Sequence, residues 1–561
     1  MSTTVVALPH LGAPAKAKAR TRHRSFPIEY TLLFAISLAF YIAFANYLVF
    51  HLHSMINDAY ARIDNAFDVL FTRDPHLAAI GFVWPPLPSF LELPIIAFKG
   101  VWPALVQKGF AGSILASLFS AGTVLLFNNG LKWAGVTRGM RWIFCLVWMI
   151  NPMVVIYASQ GMSEAPFMFF AVASILVFLR WAETRRMSLL PLLGVVAGLG
   201  CLCRNEMILL TFVIGIGVIV RSYRWRVSWR EIETHALLFG LPALLMAMLW
   251  IGSMAIIEHD PFYWIHAQNG GAVVGGGIAT TTLPYTGVPG APELAAATTG
   301  NTWQSAVQFI VGHSLLLFPA VIAALGTLAV RMLIKGDRVT GFILLSFGAP
   351  IALLDIWLLH KSTLSPTLRY QIFVIPYTFM VFVYILRSLK SRTGVLSSWI
   401  ALAIVVVLGL SNVGTMLTLS DPAMASSDEW AAVQALGSNK TVEQLGYPTA
   451  IDLGQQIAPR VEALDTDHGL IACDSTTCFP IILNAKNPHM WVVTSDRDFQ
   501  AVVAQPRAYH VEYFLVQNSG RDALNITYPG LWEDGAGFAT FIGDVGDEYR
   551  LYRVVGDTGR Q

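Results

Sequence analysis

Charged side chains are scarce in this chain, and those at the ends of its apolar segments are of two kinds. Carboxylates stand at Asp58, just past the first apolar run, at Glu164 in "GMSEA" and at Glu206 in "RNE". Guanidinium groups stand at Arg204 in the same "RNE" and at Arg369 in "LRYQIFVIP", downstream of Asp355, His360 and Lys361. Charges at membrane depth are costly and mark function. A carboxylate can take the proton of a hydroxyl. The forked donors of arginine suit phosphate. Together these types serve one chemistry well. A hydroxyl deprotonated by one of these carboxylates, with Asp58 and Glu164 the candidates, attacks a sugar carbon whose leaving group is a lipid phosphate. Arg204 and Arg369, with Lys361 and His360, hold the charge that develops there.

Each residue also has a plainer reading. Arg62 lies one turn after Asp58 and can pair with it. Arg204 can pair with Glu206. Ser163, Glu164 and Pro166 read as the start of a helix, and Arg369 can snorkel. Asp64, Asp68 and Asp74 read chiefly as a solvated helix face, with Asp68 kept as a further candidate beside Glu206 and His266. His266 and His313 otherwise read as hydrogen-bonded structural histidines. The chain has no phosphate-binding glycine loop and no Cys/His metal spacing. No cofactor is required by these residues, and a divalent metal stays open.

The elements that must position these groups follow from composition. Of 561 residues, 55% are hydrophobic and 13% charged, with a mean hydropathy of +0.57. Soluble domains carry about a quarter charged residues, so the chain reads as a polytopic all-α membrane protein. A net charge of +2 spread over such a chain gives no reason for a nucleic-acid partner. Eleven apolar segments fall near 28–50, 110–130, 141–158, 166–182, 189–203, 206–220, 235–257, 303–330, 340–359, 367–386 and 396–418. If they alternate across the bilayer, six basic clusters share one face: 16–24, 132–141, 180–186, 221–230, 331–338 and 387–392. That face is the cytoplasm by the positive-inside rule. The basic tail 1–27 then precedes a retained signal-anchor helix. Segment 51–109, the glycine-rich loop 258–302 and everything after about 420 lie outside.

Segment 51–109 carries an apolar stripe, Ala59, Ile63, Phe67 and Leu70, and so predicts a helix lying in the interface plane. Trp84 sits at headgroup depth before "PPLP", and 90–105 reads as a re-entrant or interfacial helix. Residues 420–561 read as a small extracytoplasmic α/β domain, with strands in "GLIAC", "HMWVVTS", "VEYFLVQ" and "YRLYRVV" and helices near 428–437 and 452–463. Cys473 and Cys478 ("CDSTTC") fall where oxidation is permitted, so a disulfide is open to them.

The ordered motifs "NDAY", "WPPL", "GMSEA", "RNE" and "RYQIFVIP" resemble the GT-C-fold membrane glycosyltransferases, close to the protein mannosyltransferase and aminoarabinose transferase-like group. The resemblance covers roughly 28–418. It implies a GT-C-like domain over 28–419, a polyprenyl-phosphate-linked sugar donor, inversion at the anomeric carbon and Asp58 as base. It implies a glycan, lipid or protein acceptor on the extracytoplasmic side of a cell membrane, with Glu164 positioning it. "NDAY" has one acid where many members carry a pair. Two rivals are a transporter or lipid flippase and a non-catalytic receptor. The first would spread polar residues across the bilayer and tends to show repeated halves. The second leaves Arg204 and the acid-rich helix unexplained.

Overall fold

The computed structural model describes residues 28–264, 302–334, 338–360, 367–389, 394–422, 424–447, 449–463, 469–518 and 522–556. Every apolar segment named above is helical. Among the described residues eight helices are long and apolar enough to cross a membrane, ten if each of two bent pairs is one crossing. The eleventh segment, Leu189–Cys201, has 13 residues, about 20 Å of helix against about 30 Å of hydrocarbon. Eleven full crossings is therefore corrected to eight to ten. The chain is a multi-pass membrane protein.

Burial sorts the helices. The apolar window of Glu164–Thr184 is 83% buried and that of Trp229–Ile257 only 6%. The first is the hub of the bundle, packed against Phe110–Ala134 and Leu368–Leu389, and the second presents its side chains to lipid. An all-round apolar surface is tolerable there because a helix satisfies its own backbone.

Two crossings are broken, and one later helix repairs both. Arg138–Met149 and Pro152–Ser159 meet at 66°, and Trp303–Leu317 and Ala320–Leu333 at 96°. At the first break, the Asn151 side chain caps the new helix by accepting from Val154 N–H at 3.2 Å, and Pro152 takes the position where a missing N–H costs nothing. Asn151 also donates to Asn412 at 2.8 Å and to Thr415 at 3.3 Å. At the second break, Ser411 accepts the amide of Ala320 and Thr415 donates to the carbonyl of Leu317, each at 2.8 Å. Ser411, Asn412 and Thr415 all belong to Gly394–Leu419. Backbone groups freed inside an apolar bundle need such partners.

The C-terminal part is an α/β domain, as its texture indicated. Its mixed sheet has the order β2-β1-β3-β5-β4, from Leu470–Ala472 (β1), Trp491–Val492 (β2), Val511–Gln517 (β3), Ala539–Val545 (β4) and Tyr549–Val554 (β5). β1 runs parallel to β2 and β3, and β5 antiparallel to β3 and β4. The edge strand β4 escapes the sequence reading because its middle residues are exposed without alternation and Gly543 sits at a register shift. Cys473 and Cys478 are free, buried thiols within hydrogen-bonding reach of each other. The disulfide left open by the sequence is not formed.

This domain sits on the helix Asn57–Leu70 of the first loop. Asn484 donates to the Tyr60 hydroxyl at 3.0 Å, and Tyr60 donates to the Gln107 carbonyl. Arg73 bridges Asp496, at 2.8 Å, and Asp498, and Arg497 holds Asp74 at 2.5 Å. Asp64 and Asp68 are consequently 4% and 2% exposed. The solvated face expected for these aspartates is instead roofed by protein.

The stitched breaks predict that Thr415→Val lowers the apparent melting temperature of the detergent-solubilised protein, by a loss of about 1–3 kcal/mol for buried backbone groups left unpaired. Thr415→Ser, which keeps the hydroxyl, should restore most of it.

Candidate active site

The charged residues singled out in the sequence do meet. Arg204 stands in the turn between Leu189–Cys201 and Glu206–Arg224. Its guanidinium donates to Glu206 through Nη2 at 2.5 Å and Nε at 3.1 Å, and to Glu164 through Nη1. Arg369, in the short helical turn Leu368–Gln371, pairs with Asp58 through Nη1. Its Nε lies 3.6 Å from the same oxygen of Glu164 that Arg204 holds, and has no hydrogen-bond partner. The chain of contacts therefore runs Asp58–Arg369–Glu164–Arg204–Glu206. Tyr370 lies beside both guanidiniums, at 5.1 Å from that of Arg369 and 5.8 Å from that of Arg204.

Local structure fixes each position. Glu164 opens the hub helix, and its turn passes so close to Phe110–Ala134 that a Cβ on Gly161 (φ +77) would lie 2.8 Å from the backbone of Gly112. Only glycine fits both the angle and the gap. Asp58 is in the first turn of Asn57–Leu70, where the helix dipole favours an anion. Burial differs sharply between the two acids. Glu164 is fully buried, while the Asp58 side chain is 36% exposed. Burial raises the Asp58 pKa, but Arg369 first, then Arg62 and Arg204, outweigh it and hold the carboxyl below its ordinary range. Asp58 is ionised at neutral pH.

Four further groups border the cluster without having been picked from the sequence. Asp428 and Glu429 open the first helix of the C-terminal domain, Ser427–Ser438. Asp428 accepts the Asn57 amide, an orphan donor at the start of the first-loop helix, and burial followed by Asp58 pushes its pKa up to about 6. Tyr157 donates to the buried Glu429. Glu92 is fully buried, with neither oxygen partnered, and burial raises its pKa to about 8. The sequence signal for Asp428 and Glu429 was an ordinary capping box, "SSDE", which says nothing of its neighbours in space. Arg62 is turned away from the pairing read for it: it donates to the Pro85 carbonyl at 3.3 Å and stands over Trp84.

Other candidates lie elsewhere. His360 stacks on Trp303 with ring centres 4.2 Å apart, so its ring is held there instead of among the charges. Asp355 is the exception: buried, with Oδ1 unpartnered, it stands near enough to Glu206 and Arg204 to interact with both. Lys361 and His266 lie outside the described residues. Asp68 accepts from Ser495 at 2.6 Å in the roof contact described above. For a divalent ion, His53, Glu443 and Asp452 are the described residues that bring ligand atoms within 4.8 Å of one another. Asp58, Glu164 and Glu206 are already matched by arginine, so a cation among them would have to displace a guanidinium.

Comparisons with known proteins bear on this arrangement. Residues 122–251 match the dolichyl-phosphate-mannose-protein mannosyltransferase family. That stretch spans the hub helix, Glu164, Arg204 and Glu206, so the resemblance read from short motifs now rests on a family match as well. Two solved structures of the Archaeoglobus fulgidus oligosaccharyltransferase are also similar. The apo form aligns at 11% identity and a TM-score of 0.43, covering 87% of this chain and 69% of that one. The form in complex with an inhibitory peptide and a dolichol-phosphate aligns at 11% identity and a TM-score of 0.42, covering 93% and 74%. No curated protein matches.

The roofed aspartates give a pH dependence. Burial raises the pKa of Asp68 to about 7, and Ser495 offsets only part of that, while Asp64 and Asp496 shift the same way. In the unfolded chain they titrate near about 3.9. A folded-state pKa above the unfolded one means that the folded state holds more protons between the two values. Stability is then lost as pH rises from about 4 to about 7. The melting temperature should fall across that window, and Asp68→Asn should flatten the slope.

Proposed function

We propose that the protein transfers a sugar from a polyprenyl-phosphate donor to an acceptor hydroxyl on the extracytoplasmic side of the membrane, with inversion at the anomeric carbon. The observation that carries this reading is the pairing of a reachable, ionised carboxylate, Asp58, with a partly buried guanidinium, that of Arg369, whose buried Nε–H is unpartnered. Support comes from the family match over 122–251.

In this reading the donor phosphate takes up the free Nε–H of Arg369 and competes with Asp58 for its Nη1. Arg369 turns toward the phosphate, and Asp58 becomes free to accept the acceptor's proton. A bond forms between the acceptor oxygen and the anomeric carbon. The bond from that carbon to the phosphate oxygen breaks, its electron pair leaving with the phosphate. Asp58 is neutralised by the proton it accepts as the charge passes to the phosphate, which Arg369 holds. Glu164 is too buried and too well paired to meet a substrate. Its proposed role is to anchor Arg204 and Arg369 at a fixed separation, and Glu206 does the same for Arg204 alone. The role of a divalent metal is left to titration with chelator.

Purified protein with a panel of radiolabelled polyprenyl-phosphate sugars tests the reading through release of polyprenyl phosphate. Asp58→Asn should lower turnover by about 10²–10⁴-fold, the usual worth of a positioned base, with folding intact. Arg369→Gln should raise the donor KM and also move the acidic limb of kcat/KM to higher pH, because Asp58 loses the charge that holds its pKa down. Release undiminished in Asp58→Asn would remove Asp58 as base. Absence of release from any donor by folded wild type would remove the transferase reading.

A further inference from the structure

A cavity of about 570 Å³ lies between the first-loop helix and the C-terminal domain, within the range of small-ligand sites. Asp64 and Asp68 line one wall. Both are more than nine-tenths buried, and each has an oxygen with no hydrogen-bond partner. Asp68 already accepts from Ser495 through its other oxygen, but a buried carboxyl oxygen left unpartnered is costly, so a fold that keeps two beside a cavity invites a ligand that completes them. Opposite stand the side chains of Thr476 and Gln500, with Asn65 beside the acids. Trp84 and Phe479 add aromatic surface.

The chemistry selects among occupants. Asp64 and Asp68 do not join a third ligand in a metal-like cluster among the described residues, which argues against a cation cage. A greasy lipid tail would leave the carboxyls unpaired. An array of hydroxyls answers both features: paired O–H groups for the carboxyl and amide side chains, and a C–H face for the aromatic rings. On the helix, about 100° per residue sets Asn65 and Ala61 between Asp58 and the Asp64/Asp68 pair, and Asp64 lies about 9 Å further along the axis. The cavity and the proposed reaction centre thus share one helix, although none of Asp58, Glu164, Arg204 and Arg369 lines the cavity.

We infer that this cavity is a carbohydrate-binding site that receives the acceptor, so that the acceptor is a glycan, held by Asp64, Asp68 and Asn65 against Trp84. The acceptor role rests on the transferase reading above; sugar binding by the cavity does not.

The test is saturation-transfer NMR on the full-length protein in detergent with methyl α-mannopyranoside, α-1,6-mannobiose, methyl α-arabinofuranoside and a short threonine-rich peptide. Saturation of at least one sugar by wild type is expected. Its affinity should weaken about tenfold or more in Asp64→Asn, and signal should vanish in Ala78→Trp, which fills the cavity from a half-buried lining position. If Asp64→Asn fails to fold, Ala78→Trp decides. No sugar signal in wild type, a signal untouched by Ala78→Trp, or displacement of sugar by the peptide would overturn the inference. Sugar binding by a wild type that releases no polyprenyl phosphate would sink the transferase reading and the acceptor role, and leave the carbohydrate site standing.

Discussion

Glu164 is the fixed point of the structure's electrostatics. A fully buried carboxylate survives only if it is paired and hydrogen-bonded, and here one oxygen serves two arginines from distant parts of the chain. The two guanidiniums would repel without it. With it, Arg204 and Arg369 are held on one side of the bundle, and Asp58 is drawn to the open end of the series. The close contact of Gly161 with Gly112 sets where Glu164 can be, so a backbone packing constraint ultimately fixes the separation of the cations.

The opposite end of the bundle is paired off differently. Arg141 holds Glu29 at 2.5 Å and Arg387 holds Glu183, and these pairs join helices near the basic clusters. Glu29 also faces Arg138, at 3.7 Å. The side carrying Asp58 differs because its charges form a linked series with unpartnered atoms on Arg369 and Glu92. What separates the two ends is the linkage of the charges: Asp58, Arg369, Glu164, Arg204 and Glu206 follow one another in a single series.

What the sequence made legible was local. Apolar runs and caps have short signatures, and these led to the helical segments and to the strands of "VEYFLVQ" and "YRLYRVV". Asp58, Glu164, Arg204 and Arg369 were legible because a charge at the end of an apolar run stands out against its neighbours. Partner choice was not. Arg62 stood one turn from Asp58 yet turned to Pro85, while Arg369, more than 300 residues on, took its place. Asp64 and Asp68 looked solvated because nothing local announces that a domain beginning beyond residue 420 will cover them. Asp428 and Glu429 were hidden for the same reason, inside a capping box that any soluble helix uses.

That covering domain changes the character of the first-loop helix. An interfacial helix needs a wet face and a lipid face. Here Ala59, Ile63 and Phe67 are buried below, while Asp64 and Asp68 are buried above, so neither face is left to solvent over most of its length. The helix is thus a shared wall: its first turn borders the arginine pair and its middle turns border the cavity. Asp428 caps that first turn from the covering domain, using the amide of Asn57. One helix therefore carries the cavity wall in its middle turns and, in its first turn, the carboxylate of the series with the most exposed side chain.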